Sequence, residues 1–234
     1  MIDLAVFDLA GTTVKDNQDV QRVLQQTLTK YNIHITLEEG AAVMGIPKPV
    51  AIRQLLEKHG NGQTPISSDY INEIHAVFVH DMVTFYKTDP SIEEKEGVSE
   101  TFAALKKSGI KVAVDTGFDR LITDVLLDRL GWLKNNLIDY SVTSDEVPRG
   151  RPFPDLVHKA MEHLRVNDPA RVAKIGDTPV DLQEGNAAGC GLVIGITTGA
   201  FSREMLQTEE HTHLIDAIPE VLSIVNSYMT SQTV

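Results

Sequence analysis

Five short apolar runs, Leu4–Phe7, Lys111–Val114, Tyr140–Thr143, Val172–Ile175 and Leu192–Ile196, constrain the fold of this chain more than any other feature. Each is too short for a helix and too continuous for a half-exposed strand. Each therefore reads as a strand of a parallel sheet covered on both faces. Helical stretches Asp119–Leu130, Pro154–Leu164 and Asp181–Ala188 fill the gaps between the later four. This alternation predicts an α/β fold with a Rossmann-like, doubly wound parallel sheet. Val98–Ser108, stopped by Gly109, is one more helix before the second strand, and Gly189 stops Asp181–Ala188 in the same way.

The interval between the first and second runs breaks the rhythm. It contains the helical segments Asp19–Tyr31, Leu37–Val43, Pro49–His59 and Asp69–Tyr86, with Val20, Val23, Leu24 and Leu28 at helical spacing. A crossover needs only about a dozen residues. The surplus reads as an all-helical cap domain, 15–94, inserted after the first strand into a core domain made of 1–14 and 95–234. Lys87–Glu96 reads as its return hinge, and Met229–Val234 as a frayed tail.

A formal net charge of −12 argues against nucleic acid or an anionic membrane as partner, since both need basic surface. No apolar run is long enough to span a membrane. The single cysteine, Cys190, excludes an intramolecular disulfide, and its apolar neighbours make it a buried structural thiol. A reducing compartment, the cytoplasm, is expected.

The strand ends carry the chemistry. Asp8 closes the first run in Asp8-Leu9-Ala10-Gly11-Thr12-Thr13, beside a turn whose N–H groups can face an anion. Thr116-Gly117 follows the second run, and Arg151 lies in Pro148-Arg149-Gly150-Arg151-Pro152. Gly176-Asp177-Thr178-Pro179-Val180-Asp181 follows the fourth, with two carboxylates suited to a hard cation. Singly, each has a bland reading as a helix cap, a common turn or a surface ion pair. Together they supply nucleophile, phosphoryl anchor, permanent cation and metal ligands, the parts for phosphoryl transfer through an aspartyl-phosphate.

The order Asp8-x-Ala10-Gly11-Thr12, Thr116, Arg151 and Gly176-Asp177-x3-Asp181 resembles the haloacid dehalogenase superfamily, over nearly the whole chain. The superfamily usually has Asp-x-Asp and a lysine where Ala10 and Arg151 stand. Both departures are hallmarks of its phosphonatase branch, which cleaves the carbon–phosphorus bond of phosphonoacetaldehyde, and the loop 143–152 is similar to that branch too. The resemblance implies Asp8 as nucleophile and Mg²⁺ held by Asp8, Asp177 and the carbonyl of Ala10, with Asp181 in support. It implies Thr116 and Arg151 on the phosphoryl group, and substrate contacts from Gly11, Thr12, Met44, Gly45 and Gly117. It also implies a cap lysine that forms a Schiff base with the aldehyde, here in Met44-Gly45-Ile46-Pro47-Lys48. A homodimer through cap helices is a further implication.

Taken alone, Lys48 reads as a solvated loop lysine. With Pro49 as the first residue of a helix, however, it sits at the positive end of a helix dipole, which disfavours its ammonium. An imine there makes the leaving group an enamine rather than an alkoxide, so an acid at position 10 is less necessary and Ala10 becomes intelligible. Two positions depart from the branch. Ala51 stands where it has Lys-x-x-His, and Phe118 where a tyrosine often follows Thr-Gly. In this the chain resembles a sister group, the phosphonatase-like hydrolases. Two other readings stay open. One is a phosphomonoester phosphatase of phosphoglycolate type, weakened by Ala10 because general acid–base catalysis contributes about 10²–10⁴-fold. The other is a non-catalytic phosphate-binding relative.

Overall fold

The strands are β1 (Leu4–Phe7), β2 (Lys111–Thr116), β3 (Tyr140–Thr143), β4 (Val172–Gly176), β5 (Leu192–Ile196) and β6 (His213–Ile215). In the computed structural model, which describes residues 1–59 and 65–231, they pair in parallel in the order β3-β2-β1-β4-β5-β6. β1 is apolar throughout because both of its faces are covered. Phe7 packs on Phe102 with ring centroids 4.9 Å apart, while Leu4 and Val6 face Leu156, Val157 and Ala160. The chain winds outward from β1 to β3 and then returns to the other side of β1 to form β4. The carboxyl ends of β1 and β4 therefore flank the reversal of strand order, where open α/β sheets bind ligands.

Between β1 and β2 lie α1 (Asp19–Thr29), α2 (Leu37–Ala41), α3 (Lys48–His59) and α4 (Ser68–Thr88). Thr36 and Glu39 cap α2 reciprocally, and Ser67 caps α4. α4 buries Ile71, Ile74, Phe78 and Met82, at helical spacing, against α1, α3 and α6 (Arg120–Leu130). The two connections to this helical segment run side by side. The amide of Lys15 donates to the Glu93 carbonyl at 3.1 Å, and that of Lys95 to the Thr13 carbonyl at 2.9 Å. α5 (Val98–Lys107), α7 (Asp155–Leu164) and α8 (Pro179–Ala188) complete the layers around the sheet.

Several elements differ from the sequence reading. β2 continues through Asp115 and Thr116, which stay in register with Val142 and Thr143, and β4 continues through Gly176. α3 begins at Lys48, one residue before the predicted start at Pro49. β6, α9 (Arg203–Leu206) and α10 (Glu220–Ser231) have no counterpart in the reading, since β6 is three residues among polar neighbours. α10 takes up Met229–Ser231 of the expected frayed tail, and the rest of that tail lies outside the described residues. Cys190 is half-buried rather than buried, and desolvation pushes its thiol up to about 12. No described helix is long and apolar enough to cross a membrane.

Candidate active site

Asp8 is stitched to β4 through its own amide, which donates to the Ile175 carbonyl at 2.9 Å. The turn after it folds back on itself, with the amides of Thr12, Thr13 and Val14 all donating to the Leu9 carbonyl. This puts the Thr12 hydroxyl 2.8 Å from Asp177 Oδ1, and the Ala200 amide donates to the other oxygen of Asp177 at 2.6 Å. Asp181 lies in the first turn of α8, where it and Thr178 cap each other through backbone amides at 3.2 and 3.4 Å, and the Thr178 hydroxyl also donates to the Asp181 carboxylate at 2.6 Å. Oxygens of Asp8, Asp177 and Asp181 lie within 4.8 Å of one another, all buried. Burial first, and then neighbouring negative charge, pushes the carboxyls of Asp8 and Asp177 above the usual range; at Asp8 the Arg151 charge opposes this. Asp181 Oδ1 accepts no well-aligned hydrogen bond. Three buried, clustered carboxylates of this kind suit a hard divalent cation.

Arg151 is fully buried directly beneath Asp8. Its Nη1 donates to Asp8 Oδ1 at 2.7 Å and lies 3.0 Å from Asp181 Oδ1. Nε donates to Glu184 at 2.9 Å, and Nη2 to both the carbonyl and the carboxylate of Asp115. Lys174, on β4, contacts three of the same four acids, Asp115, Asp181 and Glu184, the last two at 3.2 and 3.1 Å. Burial and Arg151 oppose the Lys174 charge, but the three carboxylates together outweigh them and hold its ammonium above the ordinary lysine range. Arg151 behaves likewise, with burial outweighed by Asp115, Asp181, Asp8 and Glu184. The guanidinium thus meets a protein acceptor in every donor direction, and it holds one oxygen of Asp8 in place.

Lys48 arrives from the opposite side. The loop before α3 lies directly on the core. A Cβ on Gly45, where φ is +83°, would stand 2.5 Å from Thr178 Oγ1, and one on Gly117 would stand 2.7 Å from the Gly45 carbonyl. Only glycines permit this approach. Lys48 is 2% exposed, with Nζ 5.5 Å from the Phe118 ring centre and 6.0 Å from that of Phe78. It makes no hydrogen bond or ion pair among the described residues. Burial, only partly offset by Asp8, pulls its amine down to about 8.

Asp8, Lys48, Thr116 and Arg151 line one cavity of about 30 Å³ with Ala10, Met44, Gly45 and Gly117. Gly11, Thr12, Asp177 and Asp181 do not line it. Thr12, expected against substrate, instead spends its hydroxyl on Asp177. Lys95 anchors the Gly11 carbonyl from behind and also bonds the Thr198 carbonyl at 3.0 Å. The sequence reading missed Asp16, Lys95, Asp115, Lys174 and Glu184. A signal existed for two of them: Asp115 and Lys174 interrupt apolar strands, and a charge inside a buried strand must be paired.

Residues 5–196 match the haloacid dehalogenase-like hydrolase family. Over 227 residues the chain is 33% identical to a protein named phosphonoacetaldehyde hydrolase from Bacillus cereus (strain G9842), covering 93% of this chain and 83% of that one. The structure superposes on a phosphonoacetaldehyde hydrolase-like protein from Oleispira antarctica with a TM-score of 0.84 at 22% identity, over 97% and 92% of the two chains. It superposes on CbbY from Rhodobacter sphaeroides, solved in complex with phosphate, with a TM-score of 0.78 at 21% identity, over 94% and 96%.

Proposed function

The chain belongs to the haloacid dehalogenase-like hydrolases, in their phosphonatase-like group, and on that premise we propose that it cleaves the carbon–phosphorus bond of a small phosphonate aldehyde or ketone. The observation that carries this reading is Lys48, a buried and unpartnered amine in the same cavity as Asp8. A lysine without an anion and with a lowered proton affinity is a nucleophile toward carbonyl carbon.

The neutral amine of Lys48 adds to the substrate carbonyl, and loss of water leaves a protonated imine. Asp8 then attacks phosphorus through the oxygen that Arg151 does not hold. As the Asp8 O–P bond forms, the C–P bond breaks and its electron pair moves into the new C=C bond of an enamine, with the iminium nitrogen as the electron sink. Water hydrolyses the aspartyl-phosphate. Protonation and hydrolysis of the enamine then release the carbonyl product and return the amine. Because no alkoxide leaves, Ala10 replaces an acid at no cost to this path. The Thr116 hydroxyl and the Gly117 backbone face the phosphoryl group, and Arg151 balances its charge while orienting Asp8. Asp8, Asp177, Asp181 and the carbonyl of Ala10 would hold Mg²⁺, which when bound neutralises negative charge between the phosphoryl group and the carboxylates.

In this proposal residues 15–94 are a cap that must part from the core to admit substrate, since a cavity of about 30 Å³ holds little more than water. Borohydride added during turnover should attach the substrate carbon skeleton to Lys48, read by peptide mass. No adduct, together with phosphate release from simple monoesters by Lys48→Ala, would establish an ordinary phosphomonoesterase instead.

A further inference from the structure

Of the polar side chains that line the catalytic cavity, five already have work. Asp8, Lys48, Thr116 and Arg151 serve the proposed reaction, and Thr178 caps α8. The sixth is Asp16, in the first connection between the core and the inserted helices. One of its carboxylate oxygens, Oδ1, accepts from the amides of Asp19 and Val20 at 2.7 and 3.3 Å and so ties down the start of α1. The other, Oδ2, accepts no hydrogen bond among the described residues. The nearby Arg22 does not reach it, because its guanidinium is committed to Asp19 and to the Asn17 carbonyl. Asp16 also borders a wider groove of about 320 Å³ shared with Asn17, Lys95 and Thr198. It therefore stands where the closed cavity meets more open space, and its charge is felt at Lys48.

An ionised carboxylate oxygen without a partner can only accept, and Asp16 lines the cavity. We infer that Asp16 is the specificity residue of this cleft, and that its free oxygen receives a hydrogen-bond donor, a hydroxyl or an ammonium, carried by the substrate on the far side of the carbonyl from phosphorus. The inference rests on the reaction proposed above. It narrows the substrate class to 2-oxo phosphonates with a donor-bearing carbon beside the carbonyl. It also excludes those with a carboxylate there, since two anions would meet in a partly desolvated site.

The test compares 2-oxo phosphonates that carry a methyl, hydroxymethyl, aminomethyl or carboxylate group on the carbonyl carbon, with the full-length protein and Mg²⁺. Asp16→Asn keeps an oxygen to cap α1 but loses the charge, and Asp16→Ser is a second cap-competent variant. The wild type should favour the hydroxymethyl and aminomethyl compounds over the methyl compound by about 10- to 100-fold in kcat/KM, mainly through KM, and reject the carboxylate. In Asp16→Asn the aminomethyl preference should collapse and the carboxylate compound should gain relative to methyl, with part of the hydroxymethyl preference retained. A residue that only capped α1 would leave these ratios unmoved in both cap-competent variants; that result overturns the inference alone. If the wild type turns over no member of the series and borohydride traps none, both the inference and the reaction it rests on fall.

Discussion

Beneath Asp8, Arg151 and Lys174 are wholly buried and surrounded by Asp115, Asp181 and Glu184. Across the cavity, Lys48 is almost as buried and touches no anion. The two lysines face the same desolvation, yet their ammonium groups respond in opposite directions: Lys174 is held charged and Lys48 is pulled to about 8. The difference lies in what surrounds them. Carboxylates within 3.2 Å outweigh burial at Lys174, whereas at Lys48 two aromatic faces offer too little to do so. Paired charge is fixed architecture, and unpaired buried charge is free to react.

The largest expected effect tests the reactive half of this comparison. Asp8→Asn and Lys48→Ala should each lower kcat/KM on a cleaved carbonyl phosphonate by on the order of 10⁴–10⁶-fold, the range seen when a covalent catalyst is removed. An active Lys48→Ala would break the contrast at once. Stability tests the architectural half. Lys174→Met strands buried carboxylates and should cost about 3–5 kcal/mol in urea unfolding, whereas Lys48→Met removes an unpaired amine between aromatic rings and should change stability by no more than about 1 kcal/mol. Equal losses would show that the two lysines are not different in kind.

The pH dependence sharpens the contrast further. A lowered pKa means that the neutral, nucleophilic amine of Lys48 accumulates as pH rises through about 8, so borohydride trapping should rise roughly tenfold from pH 7 to 9 and then level off. A rise that continues toward pH 10 would mean a solvated lysine. The smallest effect concerns the acids. Because Asp8 and Asp177 are raised, the metal-free protein binds protons there that Mg²⁺ must displace. Adding Mg²⁺ at pH 7 in weak buffer should release up to about one proton, and less at pH 9. Asp177→Asn should abolish that release.

Much of the site was legible because topology places it. Asp8, Thr116 and Asp177 end apolar runs, and strand ends at the reversal of strand order are where an open parallel sheet must expose functional groups. Asp115 and Lys174 were written in the same apolar runs, but a lone charge in a strand does not name its partner. Asp115 meets Arg151 and Lys174 only after three separate elements converge. β6 escaped notice because three residues carry no usable period. Asp16 escaped because the residues that make it interesting, Lys48 and the cavity wall, come from other parts of the chain.

By itself, the sequence determined the chain order of the first five strands and the helices between them, the helical segment between β1 and β2, the acids and threonine at the strand ends, and the arginine in the loop after β3. Those follow from local hydrophobic pattern and turn chemistry, which act over a few residues. Only the tertiary structure decided that Lys48 is buried without a counter-ion while Lys174 is surrounded by three. Burial and charge pairing are set by which distant side chains are brought together, and two identical residue types acquire opposite chemistry from that packing alone.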